Sequence, residues 1–233
     1  MPKLADGFPH GQGSAHHLST FATALPIDSG AVPCRVMIAL PPVMCAELNR
    51  REQLKELLRR KSVVRGTFTL ASGKTSDYYI DCKLTTLDPE GAILVGHTVL
   101  DLLEKEGIQA DAIGGPPIGA HPIVTAVAAV SHLRGKPLPA FLIRQEPKSH
   151  GLEKQIEGPV KAGARVVIID DVCTAGGSTE EAIAAAKSAG LEVVAVISLV
   201  DREQGGSEKL RQKYRYLRIF TANELLPGLV ANA

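Results

Sequence analysis

The residues of this chain best suited to chemistry stand in one run, Val166-Val167-Ile168-Ile169-Asp170-Asp171-Val172-Cys173-Thr174-Ala175-Gly176-Gly177-Ser178-Thr179. Apolar residues lead into two carboxylates and then into a turn of small and hydroxylated residues. A strand that enters such a turn and opens a helix leaves backbone N–H groups bare at the helix N-terminus, where phosphate is favoured. The hydroxyls of Thr174, Ser178 and Thr179 add donors. Asp170 and Asp171 repel phosphate, so their partners are sugar hydroxyls, a metal ion, or positive charge developing on a sugar ring. Together these features imply a ribose 5-phosphate site at the carboxyl end of a strand, where open α/β sheets bind ligands. No Gly-Lys-Ser/Thr follows the turn and no G-x-G-x-x-G occurs, which excludes a Walker A loop and the dinucleotide fingerprint. The plainer alternative is a strand-to-helix turn with two capping carboxylates.

Two further segments could act on the same ligand. Residues 134–165 hold seven basic residues (Arg134, Lys136, Arg144, Lys148, Lys154, Lys161, Arg165) against Glu146, Glu153 and Glu157, a local +4 in a chain of net charge +1. A long loop of that sign suits a polyanion such as a sugar diphosphate. Arg202 follows an apolar run and precedes Gly205-Gly206. A guanidinium there can grip a planar carboxylate through two parallel hydrogen bonds, or form an ion pair at a strand end.

These groups need a scaffold, and the punctuation supplies one. Glu47–Arg60 carries leucines at helical spacing, Leu48, Leu54, Leu57 and Leu58. Residues 66–70 and 76–81 read as two short strands across a Ser72-Gly73 turn. Asp88-Pro89-Glu90 opens a helix that should run to about Glu106 and stop at Gly107. Strands are then expected at 111–114, 139–144, 165–170 and 191–200, with helices at 118–133 and 178–189 between them. A long polar loop is expected from about 145 to Gly163. Alternation at this spacing implies an α/β fold with a mostly parallel sheet flanked by helices.

Composition narrows the function classes. The 233 residues are 45% hydrophobic and 22% charged, with 26 Lys+Arg against 25 Asp+Glu. That balance argues against binding nucleic acid or a membrane surface by bulk charge, and no apolar run approaches the ~20 residues of a membrane span. Cys34, Cys45, Cys82 and Cys173 form no C-x-x-C pair, so neither a zinc knuckle nor a disulfide framework is indicated and a cytoplasmic location is expected. Residues 1–43 carry four charged residues and six of the 15 prolines. They read as an irregular N-terminal extension, without the features of a signal peptide, ahead of a domain at 44–233. His16-His17 lacks a third ligand at metal-binding spacing.

The run at 166–179 resembles the 5-phosphoribosyl-1-diphosphate (PRPP) signature of the type I phosphoribosyltransferases, a hydrophobic strand followed by D-D-x-x-T-A-G-x-[ST]. Three segments narrow the resemblance to orotate phosphoribosyltransferases: Phe68–Lys74 with Ser76, Tyr78, Tyr79 and Asp81, similar to that family's N-terminal hood; Ile143–Gly151, similar to its catalytic loop; and Leu199-Val200-Asp201-Arg202, similar to the strand end with its orotate-binding arginine. Asp111–Pro122 resembles its pyrophosphate loop. The resemblance spans about residues 47–226.

It implies the type I phosphoribosyltransferase fold with a small hood, and conversion of orotate and PRPP to orotidine 5′-monophosphate and pyrophosphate in pyrimidine biosynthesis. PRPP would be held by Lys74, Arg144, Lys148, His150, Asp170, Asp171, Val172, Cys173, Thr174, Ala175, Gly176, Gly177 and Ser178. Orotate would be held by Thr174, Tyr79, Ile80 and Arg202, with Tyr78 framing the base. Lys148, His150, Asp170 and Asp171 would be catalytic, His150 as a donor to the diphosphate or as an acid. Mg²⁺ is the implied cofactor, with no strong direct protein ligand and Asp170 and Asp171 reaching it through water. A homodimer with shared active sites is also implied, Lys148 and His150 reaching the neighbour's site. Ala71, Gln145 and Gly119 stand where family members carry lysines, which removes positive charge around the diphosphate. Two rivals remain: a phosphoribosyltransferase for another base, and a PRPP-binding regulator on the same fold, for which the extension is poor in basic residues. The end at Ala233 leads us to expect a stand-alone transferase.

Overall fold

The structure, a computed structural model, describes residues 42–69, 75–145 and 155–226. The expected extension lies outside these residues except for residues 42 and 43, which open the first helix. Ala71, Lys74, Lys148 and His150 also lie outside the described residues. The described residues fall within one unit, Leu40–Ala233.

The chain opens with helix α1 (Pro42–Lys61), which starts earlier than the leucine spacing suggested. Its Leu54, Leu57 and Leu58 are buried. Strands β1 (Val63–Thr69) and β2 (Thr75–Ile80) pair antiparallel as a separate two-stranded sheet, the expected hood. A short helix α2 (Lys83–Thr86) leads to α3 (Pro89–Lys105). The start of α3 is as the sequence reads: the Asp88 carboxylate accepts from the N–H groups of Glu90 and Gly91, and Pro89 takes the first turn, where no N–H is needed.

Then come β3 (Ala112–Gly115), α4 (Ala120–Leu133), β4 (Ala140–Ile143), β5 (Ile156–Glu157), β6 (Arg165–Cys173), α5 (Gly177–Ser188), β7 (Glu192–Asp201), α6 (Gly206–Lys213), β8 (Tyr216–Thr221) and α7 (Ala222–Leu225). The second sheet has six strands in the order β5-β4-β3-β6-β7-β8. All neighbours in it are parallel except β4 and β5. This is the mostly parallel α/β sheet the alternation predicted.

Both faces of the central strand β6 are covered, which is why it reads as a continuous apolar run. Successive side chains point to opposite faces. Val167 and Ile169 join the core beneath α1, α3 and α4, whereas Val166 and Ile168 join a second core with Ala182, Ile183 and Ala186 of α5. The same alternation continues past the apolar run and decides where the two carboxylates go.

Candidate active site

Strand β6 does not stop at the first carboxylate, as expected, but continues through both to Cys173, paired with β7 in one register from Val167 onward. Asp170 and Asp171 therefore face opposite sides of the sheet. Asp170 is 4% exposed. Its Oδ2 accepts from the hydroxyls of Ser178 (2.9 Å) and Thr179 (2.7 Å), and its Oδ1 from the N–H of Asp171 (3.0 Å). It thus ties the first turn of α5 to the strand, and the Ser178 hydroxyl assigned to phosphate is spent on this carboxylate.

Asp171 has a different environment. Its Oδ1 accepts from the N–H of Val172 (3.0 Å), and it faces the turn before α4. A β-carbon placed on Gly119 would stand 2.2 Å from both Cγ and Oδ1 of Asp171. Burial, then the neighbouring Asp170 charge, push the Asp171 pKa from 3.8 up to about 6, against the opposing pull of Lys83. Cys82 lies beneath, its buried thiol 3.8 Å from the Asp171 carbonyl oxygen.

The turn at 174–176 is held from behind. Gly176 adopts φ 81°, in the left-handed region that suits glycine, and precedes α5 without a side-chain cap. The first N–H groups of a helix have no intrahelical acceptor, so α5 offers donors where the signature predicted them. The N–H of Gly206 at the start of α6 donates to the Thr174 carbonyl (3.1 Å). A β-carbon on Gly206 would meet that oxygen at 2.5 Å and the Gly176 nitrogen at 2.7 Å. Ala175 and Gly177 are exposed, Thr174 and Val172 are half-buried, and Cys173 is buried, with its thiol pKa raised to about 11 chiefly by burial. Cys173 is therefore a neutral thiol that packs below the turn.

Arg202 follows β7, and its N–H donates to the Cys173 carbonyl (2.9 Å), so the arginine and the phosphate turn share one anchor. The Asp201 carboxylate beside it is taken by Arg218 (3.1 Å) and by the N–H of Glu203 (2.8 Å). Arg202 itself is 5% exposed, yet it has no carboxylate partner among the described residues. Its Nη2 donates to Ser76 Oγ on β2 (3.1 Å), and its guanidinium carbon lies 4.7 Å from the centre of the Tyr78 ring. This buried cation is not the surface ion pair that the sequence left open.

The hood strand presents alternate residues to it. Ser76, Tyr78 and Ile80 are buried, and Tyr79 between them is 43% exposed against Phe68, with ring centres 5.6 Å apart. Of the two residues assigned to orotate here, Tyr79 thus lies on the far face of the strand and Ile80 in the core; the structure brings Tyr78 to Arg202 instead. The resemblance marked the Tyr78-Tyr79-Ile80 run but not the pleat that separates its faces.

At the other edge, Arg144 follows β4, exposed, with its guanidinium 3.4 Å from Glu157. Its backbone N–H donates to the Gln155 carbonyl (2.9 Å), and the Gln155 side chain donates back to the Arg144 carbonyl (3.1 Å). Arg144 and Gln155 are therefore held together where β4 and β5 pair. Lys83, which sequence reasoning missed, sits near Asp171 with its Nζ 2.7 Å from Asp81; that bond raises its pKa. Its signal was a lysine two residues past Asp81 in the hood motif. Among the described residues no group of three or more His, Cys, Asp or Glu side chains is gathered for a metal ion, and no helix is long and apolar enough to cross a membrane.

The comparisons with known proteins agree with this geometry. The phosphoribosyl transferase domain family matches residues 86–226, more than half of the chain. The orotate phosphoribosyltransferase of Aquifex aeolicus is 41% identical over 180 residues, covering 76% of this chain and 97% of that protein. That of Rhodopirellula baltica is 42% identical over 169 residues, covering 71% and 88%. Among solved structures, Mycobacterium tuberculosis orotate phosphoribosyltransferase in complex with Fe(III) dicitrate superposes with a TM-score of 0.67 at 36% identity, covering 76% of this chain and 99% of that one. The same enzyme in complex with PRPP gives 0.64 at 34% identity, covering 76% and 98%. With its mostly parallel sheet, its glycine-rich turn after two carboxylates and its hood, the chain belongs to the orotate phosphoribosyltransferase family of type I phosphoribosyltransferases.

Proposed function

We propose that this protein transfers the phosphoribosyl group of PRPP to orotate, releasing pyrophosphate and forming orotidine 5′-monophosphate. The observation that carries this reading is Arg202: a buried guanidinium with no carboxylate partner among the described residues, stacked on Tyr78 and set beside the phosphate turn. A buried cation is costly unless an anion completes it. Orotate brings a planar carboxylate that hypoxanthine, adenine and uracil lack.

PRPP would lie with its 5-phosphate over the turn 174–177, against the N-terminus of α5. Its ribose hydroxyls would meet Asp171, since the Asp170 oxygens already accept from Ser178, Thr179 and Asp171. In the reaction the C1′–O bond breaks, its electron pair leaving with the diphosphate, and a C1′–N1 bond to orotate forms as N1 loses its proton. Positive charge builds on the ribose as the bond lengthens, and the carboxylates at the end of β6 stabilise it electrostatically. By the resemblance, Lys148 neutralises the departing diphosphate and His150 and Arg144 bind it. Mg²⁺ fits this donor set as an ion that would be held chiefly by diphosphate and ribose oxygens, with Asp171 reaching it through water while Asp170 stays bonded to Ser178 and Thr179; it would supply charge neutralisation of the diphosphate.

A homodimer belongs to the same proposal. Leu84 on α2, Leu87 just after it and Ile93 on α3 are each half or more exposed, apolar surface that a second copy would cover. Sedimentation at micromolar concentration tests it. A cytoplasmic location is supported by Cys82 and Cys173, both buried free thiols.

Product identification tests the activity. Protein, PRPP, Mg²⁺ and orotate should yield equal amounts of orotidine 5′-monophosphate and pyrophosphate, and a chelator should stop both. Intact PRPP binding with neither product would favour the PRPP-binding regulator instead.

A further inference from the structure

We infer that Ser76 is a positioning residue for Arg202, holding the guanidinium in the orientation that grips the carboxylate of the base. This deepens the proposed activity and rests on it. The guanidinium is joined to two separate parts of the fold. Its backbone is fixed to the large sheet through the Cys173 carbonyl, and its Nη2 is fixed to the hood through Ser76 Oγ. The ring of Tyr78, two residues along the same hood strand, supports one face of its plane at 4.7 Å.

Ser76 is itself held. Its hydroxyl donates to the Tyr78 carbonyl (2.8 Å), which turns the oxygen lone pairs outward to accept from Arg202. A hydroxyl has one donor and two acceptor positions, so the serine donates to the strand and accepts from the arginine at once. Only one of the five guanidinium N–H hydrogens goes to Ser76. The Nε–H is buried and has no partner among the described residues. A buried donor left unpaired is costly, and a planar carboxylate is the acceptor that satisfies Nε–H together with a neighbouring N–H. Long side chains lose rotamer entropy when they bind. Ser76 and Tyr78 reduce that loss, because their contacts within the fold already orient the Arg202 guanidinium.

The test compares KM values for the two substrates in Ser76→Ala, Ser76→Thr, Arg202→Lys and the double variant Ser76→Ala/Arg202→Lys. Ser76→Ala should raise KM for orotate about tenfold, as loss of a hydrogen bond to a charged group typically does, with KM for PRPP changed less than about twofold. Ser76→Thr, which keeps a hydroxyl, should restore most of the orotate affinity. In the Arg202→Lys background, Ser76→Ala should add less than about twofold, because residues acting through one another are not additive. An unchanged orotate KM in Ser76→Ala, an equal rise for both substrates, or a full additional loss in the Arg202→Lys background would overturn the inference. Wild-type protein that turns over no orotate would instead overturn the proposed activity, a separate and distinguishable result.

Discussion

The carboxylate of Asp171 occupies the space that a β-carbon on Gly119 would need. The two stand on different elements, the end of β6 and the entry to α4, and the notional contact is 2.2 Å. In the sequence Gly119 reads as a missing lysine in a segment that resembles a pyrophosphate loop. In the structure it is the residue that lets the acid of the signature lie against the turn before α4. Gly119→Ala should displace the carboxylate and lower kcat/KM by roughly ten- to a hundredfold, the scale of a misplaced catalytic group, while secondary structure stays unchanged by circular dichroism.

The position of Asp171 also has a pH signature. Its folded pKa, about 6, lies above the ordinary 3.8. The folded protein therefore binds this proton more tightly than the unfolded chain, and stability from this site is greatest below about pH 4 and is lost as pH rises through 6. Asp171→Asn should accordingly be more stable than wild type at pH 7, by roughly 1–3 kcal/mol at 1.36 kcal/mol per pKa unit. The gain should vanish below about pH 4. Denaturant titrations at pH 4, 5, 6 and 7 measure it.

Gly206 is the counterpart of Gly119 on the other side of the phosphate turn. Its close approach to the Thr174 carbonyl and the Gly176 nitrogen leaves no room for a methyl group. Gly206→Ala should push the turn out of register, raise KM for PRPP at least several-fold, and cost about 1–3 kcal/mol of stability, typical of overpacking. Because Gly176 and the start of α5 ride on this contact, PRPP affinity should suffer more than orotate affinity.

The division between what the sequence revealed and what it concealed follows from range. The apolar run of β6, the Asp88-Pro89 start of α3 and the glycine-rich entry to α5 are local patterns with local causes, and they are legible. The element β5 is two residues long, α6 buries only Gly206, Ser207 and Leu210 among its charged residues, and β8 interrupts its apolar run with Arg218; none has a period long enough to read. The site shows the same limit. The signature located Asp170 and Asp171 but not the strand continuation that sends one into α5 and the other toward Gly119. Likewise Tyr78-Tyr79-Ile80 was visible as a motif, whereas the pleat placing Tyr78 rather than Tyr79 on Arg202 depends on the register of β1 against β2.

Asp170 acts as a tether for α5, which makes its hydroxyl partners testable. Thr179 is fully buried and donates to Oδ2 at 2.7 Å. Thr179→Val keeps the shape and removes the donor, leaving a buried carboxylate short of one hydrogen bond. It should cost about 1–3 kcal/mol, seen as a lower midpoint in denaturant with an unchanged slope.

Lys148, assigned by resemblance to the departing diphosphate, should matter to the transition state more than to the ground state. Lys148→Ala is expected to reduce kcat by about a hundredfold or more, with KM for PRPP changed only a few-fold. Unchanged turnover would refute the role.

The central claim is that Arg202 and the hood select a base bearing a carboxylate. It is tested most directly by mixing the purified protein with PRPP and Mg²⁺ and following ultraviolet absorbance with orotate, uracil, hypoxanthine or adenine in parallel. The account predicts consumption of orotate alone, and its loss in Arg202→Ala. Turnover of uracil or a purine at a rate comparable with orotate, or orotate turnover indifferent to Arg202→Ala, would contradict it.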